Sequence, residues 1–401
     1  MKILFLCHRI PYPPNKGDKI RSFNELKYLS ALHHVDLVCL ADEAGDLQYA
    51  TELEHYCKQV FVYPLNKIVA KIKGLCSLLC GGSISVGYFY QKKMQQTVDQ
   101  LLQAHSYDAV FCFSSTMAEY VLQSSVKNIS AELVMDFCDV DSDKWQQYAD
   151  DAHFPFNYIY KLEKQRLLDY EIQVNIKFDH SIFVTQNEAE LFKQLYPAAT
   201  KLTVMQNGVD FSYFSPDGSF KKLPKETPVL VFTGAMDYHA NVAGVQWFCQ
   251  QAWGQIRQQI PACQFYIVGS NPTPAVQELA DLPGVTVTGF VDDIRSYYAL
   301  ADVCVIPLHM ARGVQNKALE AMAMGKAVVT TTKVAQGVGA QGEHLVIADE
   351  VTQFVHAVLT LLTNKSQCKQ IAESGRQFIL HNFDWQKNMT ILDTVLAGGE
   401  Q

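Results

Sequence analysis

Within ARGVQNKALEAMAMGKAVVTT, residues 311–331, a single carboxylate, Glu320, lies inside an otherwise apolar helical run. Two cations, Arg312 and Lys317, precede it. A carboxylate can accept two hydrogen bonds from a vicinal diol, and bonds to an ionised acceptor belong to the stronger class. Leu319, Met322 and Ala323 define the packed stripe of this helix, with Glu320 at its edge. That placement favours a ligand over bulk water as the partner of Glu320. Arg312 can also be read as a solvated loop residue.

Other stretches carry chemistry in weaker form. Gly17, in PPNKGDKIRSF, falls between a first strand and its helix, where a glycine lets backbone approach a phosphate or sugar. A plain turn glycine fits as well, since neither G-x-G-x-x-G nor a P-loop spacing is present. CDVDSDK offers Asp139, Asp141 and Asp143. Alone it reads as an oxygen site for Mg²⁺ or Mn²⁺, or as a turn and helix cap. The twelve histidines show no metal-binding spacing; His8 and His239 follow strands but are not assigned catalytic roles. LNKIVAKIKGLCSLLCGG, residues 65–82, sets Ile68, Val69, Ile72, Leu75 and Leu79 on helical spacing among Lys67, Lys71 and Lys73. Such a helix can lie on an anionic bilayer. It can also pack its apolar face on its own domain, which is the commoner arrangement.

The elements that position these residues follow from the apolar pattern. The chain has 401 residues, 48% hydrophobic and 18% charged, which implies two or three folded domains. A net charge of −8 argues against nucleic acid as partner. Eleven cysteines include no C-x-x-C pair, and Cys7, Cys39, Cys112 and Cys304 sit in apolar runs. They read as buried hydrophobes of a reducing, cytoplasmic compartment, without disulfides or bound metal. No run is long enough for a membrane span.

Short Val/Ile/Leu/Phe runs alternate with amphipathic segments, the pattern of parallel sheets with crossover helices. Seven strands are expected from Lys2 to Gln206 and six from Val229 to Ile347. The division expected is an N-terminal domain over 1–208, a linker over 209–228 and a second domain over 229–380. A C-terminal helix over 381–401 is expected to be free to pack back on the first domain. Both domains should be Rossmann-like and doubly wound. Sheets of this kind bind ligands beyond the carboxyl ends of their strands, so chemistry is expected in a cleft between the two domains.

Three stretches in order then become specific. FVTQNEAELFKQLYPAATKLTVMQNGVDFSYFSP, VTVTGFVDDIRSYYALADVCVIPL and NKALEAMAMGKAVVTT together resemble retaining nucleotide-sugar glycosyltransferases of the GT-B fold, group 1, family four type. HRIPYPPNKGDKIRSFNELKYLS, MDFCDVDSDKWQQYA and FTGAMDYHANVAGVQWF further resemble bacterial sugar transferases of exosortase/PEP-CTERM and exopolysaccharide loci.

The resemblance implies that Glu320 holds the ribose diol of a nucleotide-diphosphate sugar. It implies that Gly17 faces the donor and Asp139 lies on the acceptor side. It also implies sugar transfer with retention, no metal, and a glycan or lipid-linked acceptor. Two departures stand out. The family's usual first Glu, eight residues before Glu320, is Arg312 here, and Arg cannot accept a hydrogen bond. The loop TGAMDYHAN after VLVF lacks the basic residue that relatives often have there. Arg312 and Lys317 could then supply the charge for the diphosphate, with N–H groups from Gly313, Val314 and the helix start, and Gly234 lining the donor. Arg312 facing an acidic donor sugar is the rival. A nucleotide-sugar epimerase and a degenerate nucleotide-sugar-binding subunit are the alternative functions. Peripheral membrane contact through 65–82 stays open.

Overall fold

The computed structural model describes residues 1–311 and 313–398. It divides into two compact units, one of Met1–Gln206 with the C-terminal segment from Asn388, the other of Asn207–Lys387. In the first, β1 (Lys2–Cys7), β2 (His34–Ala41), β3 (Gln59–Pro64), β4 (Ala109–Phe113), β5 (Glu132–Cys138), β6 (His180–Phe183) and β7 (Leu202–Val204) form one sheet. Its order is β3-β2-β1-β4-β5-β6-β7, and every pair is parallel. In the second, β8 (Val229–Thr233), β9 (Gln264–Val268), β10 (Val285–Gly289), β11 (Val303–Ile306), β12 (Ala327–Thr330) and β13 (Val346–Ile347) run in the order β10-β9-β8-β11-β12-β13.

All thirteen expected strands are present, with ends shifted by a residue or two. Their apolar runs are continuous rather than alternating because helices cover both faces. Ile3 to Cys7 of β1 and Ala109 to Phe113 of β4 are all buried, and Phe5 stacks on Phe111 with ring centroids 5.0 Å apart. Cys7, Cys39, Cys112 and Cys304 are buried in these strands as expected. In each sheet the chain reverses its direction of winding once, between β1 and β4 and between β8 and β11. The carboxyl ends of those strands are where doubly wound sheets leave a crevice.

The C-terminal stretch expected as one amphipathic helix is two short ones, Trp385–Met389 and Ile391–Leu396, broken at Thr390. Trp385 stays with the second unit: a Cβ on Gly208 would lie 2.6 Å from its indole. Leu392, Val395 and Leu396 are buried, and Tyr28 donates to Asp393 at 2.7 Å.

The helix Lys67–Leu79 departs most from the ordinary packed arrangement. Its buried residues are Ala70, Gly74 and Leu78, while Ile68, Val69, Ile72, Leu75 and Leu79 face solvent. Glycine stands at the closest approach, since a Cβ on Gly74 would already lie 2.9 Å from the Ile84 carbonyl.

Candidate functional site

In the second unit, the carboxyl end of β8 and the helices Arg295–Leu300 and Asn316–Ala323 bring four polar side chains together. Thr233, the last residue of β8, shares a 2.7 Å hydrogen bond with the Tyr298 hydroxyl. Tyr298 in turn donates to Glu320 Oε2 at 2.8 Å. Burial raises the Glu320 carboxyl above its usual range, while the Tyr298 bond and the neighbouring Lys317 charge act in the opposite sense. Burial likewise lowers Lys317 to about 8, with the Glu320 charge only partly opposing it. Lys317 Nζ lies 5.6 Å from the centroid of the Phe232 ring and 3.3 Å from Gln315 Oε1. An acid and an ammonium thus sit half-dehydrated side by side. Each charge would be better solvated by a ligand of opposite polarity.

The backbone around them is held at close quarters. Gly234 directly follows β8, and a Cβ there would stand 2.6 Å from Asn241 Nδ2 and 3.3 Å from Lys317 Cε. A Cβ on Gly269, at the end of β9, would be 1.7 Å from the Gly234 carbonyl oxygen. The loop after β11 is fastened from β12: Thr330 donates to the Ile306 carbonyl at 2.8 Å and Thr331 to that of Leu308 at 2.6 Å. Gly313, with φ 55°, lets its carbonyl pack on the helix Thr332–Val338, where a Cβ on Gly337 would come within 2.2 Å of it. Val314 follows on the same loop and is half-buried. Arg312 lies outside the described residues.

These contacts give a stability expectation. Gly269→Ala should cost about 3 kcal/mol, because backbone must move to admit the methyl group. Gly254→Ala, on a helical position with open space around it, should instead add about 0.5–1 kcal/mol. Urea unfolding of both variants checks the contrast; equal midpoints would contradict the packing described.

The first unit carries the remaining expected residues. Gly17 opens the helix Gly17–Leu32 after Lys16 and is exposed. That helix is pinned by Arg21, whose Nε lies 2.6 Å from Asp136 Oδ2 of β5 and whose Nη1 donates to the Met205 carbonyl at 2.7 Å. Near its start Asp18 faces Arg9 at 2.6 Å and His8 at 3.4 Å. Burial would raise the Asp18 carboxyl, but these two neighbours hold it far below its usual range.

Asp139 follows β5 by one residue, and Lys144 Nζ stands 3.1 Å from it and 2.8 Å from Asp141. Asp139 and Asp141 of CDVDSDK therefore bracket a lysine, which suits a turn and helix start better than a cation site. Two buried acids brace this turn. Glu188 accepts the Val140 N–H at 2.7 Å, and Glu171 accepts the Ser142 hydroxyl at 2.6 Å. Burial pushes their carboxyls up to about 7 and about 8.

The structure therefore brings Lys317, Glu320 and Gly234 together in one unit and carries Gly17 and Asp139 in the other. Tyr298 and Thr233 were not anticipated. In RSYYALADV a tyrosine on a short amphipathic helix reads as core, and only the fold shows its hydroxyl turned onto Glu320. Nothing in the doubled Tyr297–Tyr298 tells the two apart by sequence, and only the structure shows that Tyr298 alone of the pair is fully buried.

Residues 227–364, within the second unit, match the family described as Glycosyl transferases group 1. Over its length the chain is 24% identical to an "Uncharacterized 44.6 kDa protein in cps region" of Klebsiella pneumoniae, covering 96% of this chain and 97% of that one. It superposes on sucrose-phosphate synthase from Thermosynechococcus elongatus with a TM-score of 0.70 at 17% identity, covering 99% and 98% of the two chains. HepE of Anabaena in complex with UDP-glucose gives a TM-score of 0.69 at 18% identity, covering 99% of each chain. The fold, two Rossmann-like parallel-sheet units, is that of the GT-B glycosyltransferases.

Proposed function

We propose that the protein is a glycosyltransferase that moves a sugar, with retention at the anomeric carbon, from a nucleotide-diphosphate donor to a glycan or lipid-linked acceptor. The observation that carries this reading is the Thr233–Tyr298–Glu320 chain beside Lys317, at the crevice of a unit that matches a glycosyltransferase family. Tyr298 fixes one oxygen of the Glu320 carboxylate, which orients it to accept the ribose hydroxyls. Lys317 and Arg312 supply positive charge to the diphosphate, with N–H groups from Gly313, Val314 and the helix start. Gly234 leaves room for the donor, and Gly17 and Asp139 serve donor and acceptor from the first unit.

In such a reaction the departing diphosphate carries the developing negative charge. Preorganised cations lower the barrier by stabilising it, and the donor phosphate can take the acceptor's proton on the same face. No carboxylate base is then required. HepE, crystallised with UDP-glucose, favours a uridine donor, and the cps-region relative favours a role in making a polysaccharide.

Calorimetry with UDP, GDP, ADP and dTDP, with and without EDTA, tests the site. One diphosphate should bind without metal, and Arg312→Ala should weaken it about tenfold or more. Unchanged diphosphate affinity in Arg312→Ala would instead direct that residue to an acidic donor sugar. Binding that needs a divalent cation would overturn the mechanism. Donor turnover without any acceptor, giving an isomerised sugar, would identify an epimerase.

A further inference from the structure

We infer that the helix Lys67–Leu79 is the surface by which this protein rests on an anionic lipid bilayer. The exposed stripe is substantial: Ile68 is 73% exposed, Ile72 59% and Leu79 79%, with Val69 and Leu75 between them. Lys67, Lys71 and Lys73 are exposed on the same helix. Apolar residues of this size left in water on one face are costly unless something covers them.

The helix is built to stand in this orientation. Asn66 caps it by accepting the Ile68 and Val69 N–H groups at 3.0 and 3.2 Å. Its inward face is Ala70, Gly74 and Leu78, with glycine where the backbones come closest. A Cβ on Gly74 would lie 2.9 Å from the Ile84 carbonyl, and one on Gly87 would lie 2.5 Å from Ser77 Cβ. The partner helix, Ile84–Phe89, is itself anchored, because buried Glu163 accepts the N–H groups of Ile84 and Ser85 and the hydroxyl of Ser83. Rolling the helix to bury Leu75 and Leu79 would break this close packing. No ordering cost then attaches to docking, as it would for a segment that folds on the membrane.

Charge selects the occupant. From residue 55 to residue 98 there are six lysines, Lys58, Lys67, Lys71, Lys73, Lys92 and Lys93, and no Asp or Glu, in a chain of net charge −8. Apolar residues flanked by lysines match the acyl boundary and the anionic headgroups of a bilayer. A second copy fits poorly. A two-fold contact would bring two lysine-rich helices together with no carboxylate from residues 55–98 to compensate. Glu43, whose carboxyl is held low by Lys16 and also by Lys67, is already paired with Lys16 at 2.6 Å. Among the described residues no helix is long and apolar enough to cross a membrane, so the contact is peripheral. Phe154 and Phe156, 85% and 58% exposed at the start of the helix that carries Glu163, add apolar surface to the same helical group.

The test is co-sedimentation of the full chain with vesicles of equal phosphatidylglycerol and phosphatidylethanolamine, against phosphatidylcholine alone. Wild type should bind the anionic vesicles, less so as salt is raised. Ile72→Glu with Leu75→Glu should cut partitioning at least about a hundredfold. Reversing Lys67, Lys71 and Lys73 to Glu should cut it about tenfold or more. Every change falls on an exposed side chain, so thermal midpoints should hold, and nucleotide affinity should stay as in wild type. Nucleotide affinity is read separately, so failure here leaves the donor site untouched. The inference is overturned if wild type ignores anionic vesicles, or if both variants bind them as wild type does. It is also overturned if sedimentation velocity shows a dimer that the Glu substitutions dissociate.

Discussion

Lys317→Met should lower kcat/KM about a thousandfold and yet leave a more stable protein. The two effects share one cause. Removing one preorganised donor aimed at developing negative charge, here on the departing diphosphate, typically costs 10² to 10³ in rate. In the resting protein the same ammonium is desolvated, and its ionisation falls from 10.5 to about 8. A lysine depressed in the folded state binds its proton more tightly when unfolded. Its charge therefore opposes folding at all pH values below about 8, and stability rises as pH climbs from there to 10.5, where the cost has gone. Because the side chain is partly exposed, solvent screening trims the effect, and a gain of about 1–3 kcal/mol at neutral pH is expected for the methionine variant. Urea unfolding of wild type and variant at neutral pH and near pH 10 checks this. The difference between them should shrink at the higher pH. Diphosphate binding near pH 8 should also take up a fraction of a proton, read as a dependence of the calorimetric enthalpy on buffer.

Glu320→Ala should weaken nucleoside diphosphate about a hundredfold, because two charge-assisted hydrogen bonds to ribose are lost at once. The sharper readout is discrimination. Wild type should bind UDP at least tenfold more tightly than its 2′-deoxy counterpart, whereas Glu320→Ala should bind the two alike. Discrimination that survived in Glu320→Ala would move the ribose elsewhere. Tyr298→Phe should weaken UDP by about tenfold, since it frees the carboxylate Oε2 to rotate and strands the Thr233 hydroxyl bonded to Tyr298 at 2.7 Å. The effect should fall mainly on affinity, because Tyr298 positions Glu320 and does not itself meet the reacting atoms.

Glu320 and Lys317 were legible because a charged residue inside NKALEAMAMGK breaks an apolar period, and such a break calls for a partner. Gly234 and Gly313 were legible as the punctuation of loops after strands. Tyr298 and Thr233 were not, since an aromatic on a helix and a threonine at a strand end are ordinary core residues until a fold aims their hydroxyls. The buried Glu188 and Glu171 beneath Asp139 were hidden for the same reason: each sits on a helix where Glu usually faces water.

The sequence by itself determined the strands, their parallel pairing and the alternation with helices. These follow from apolar runs of a few residues and from crossover lengths, which are local properties. Which face of a helix turns inward was left to tertiary structure. Lys67–Leu79 has the period of a packed amphipathic helix. Its direction was decided by Gly74 and Gly87, which let two backbones meet so closely that neither position admits a side chain. The dehydration that lowers Lys317 and raises Glu320 was decided there too, because burial belongs to the whole fold and to no single stretch of chain.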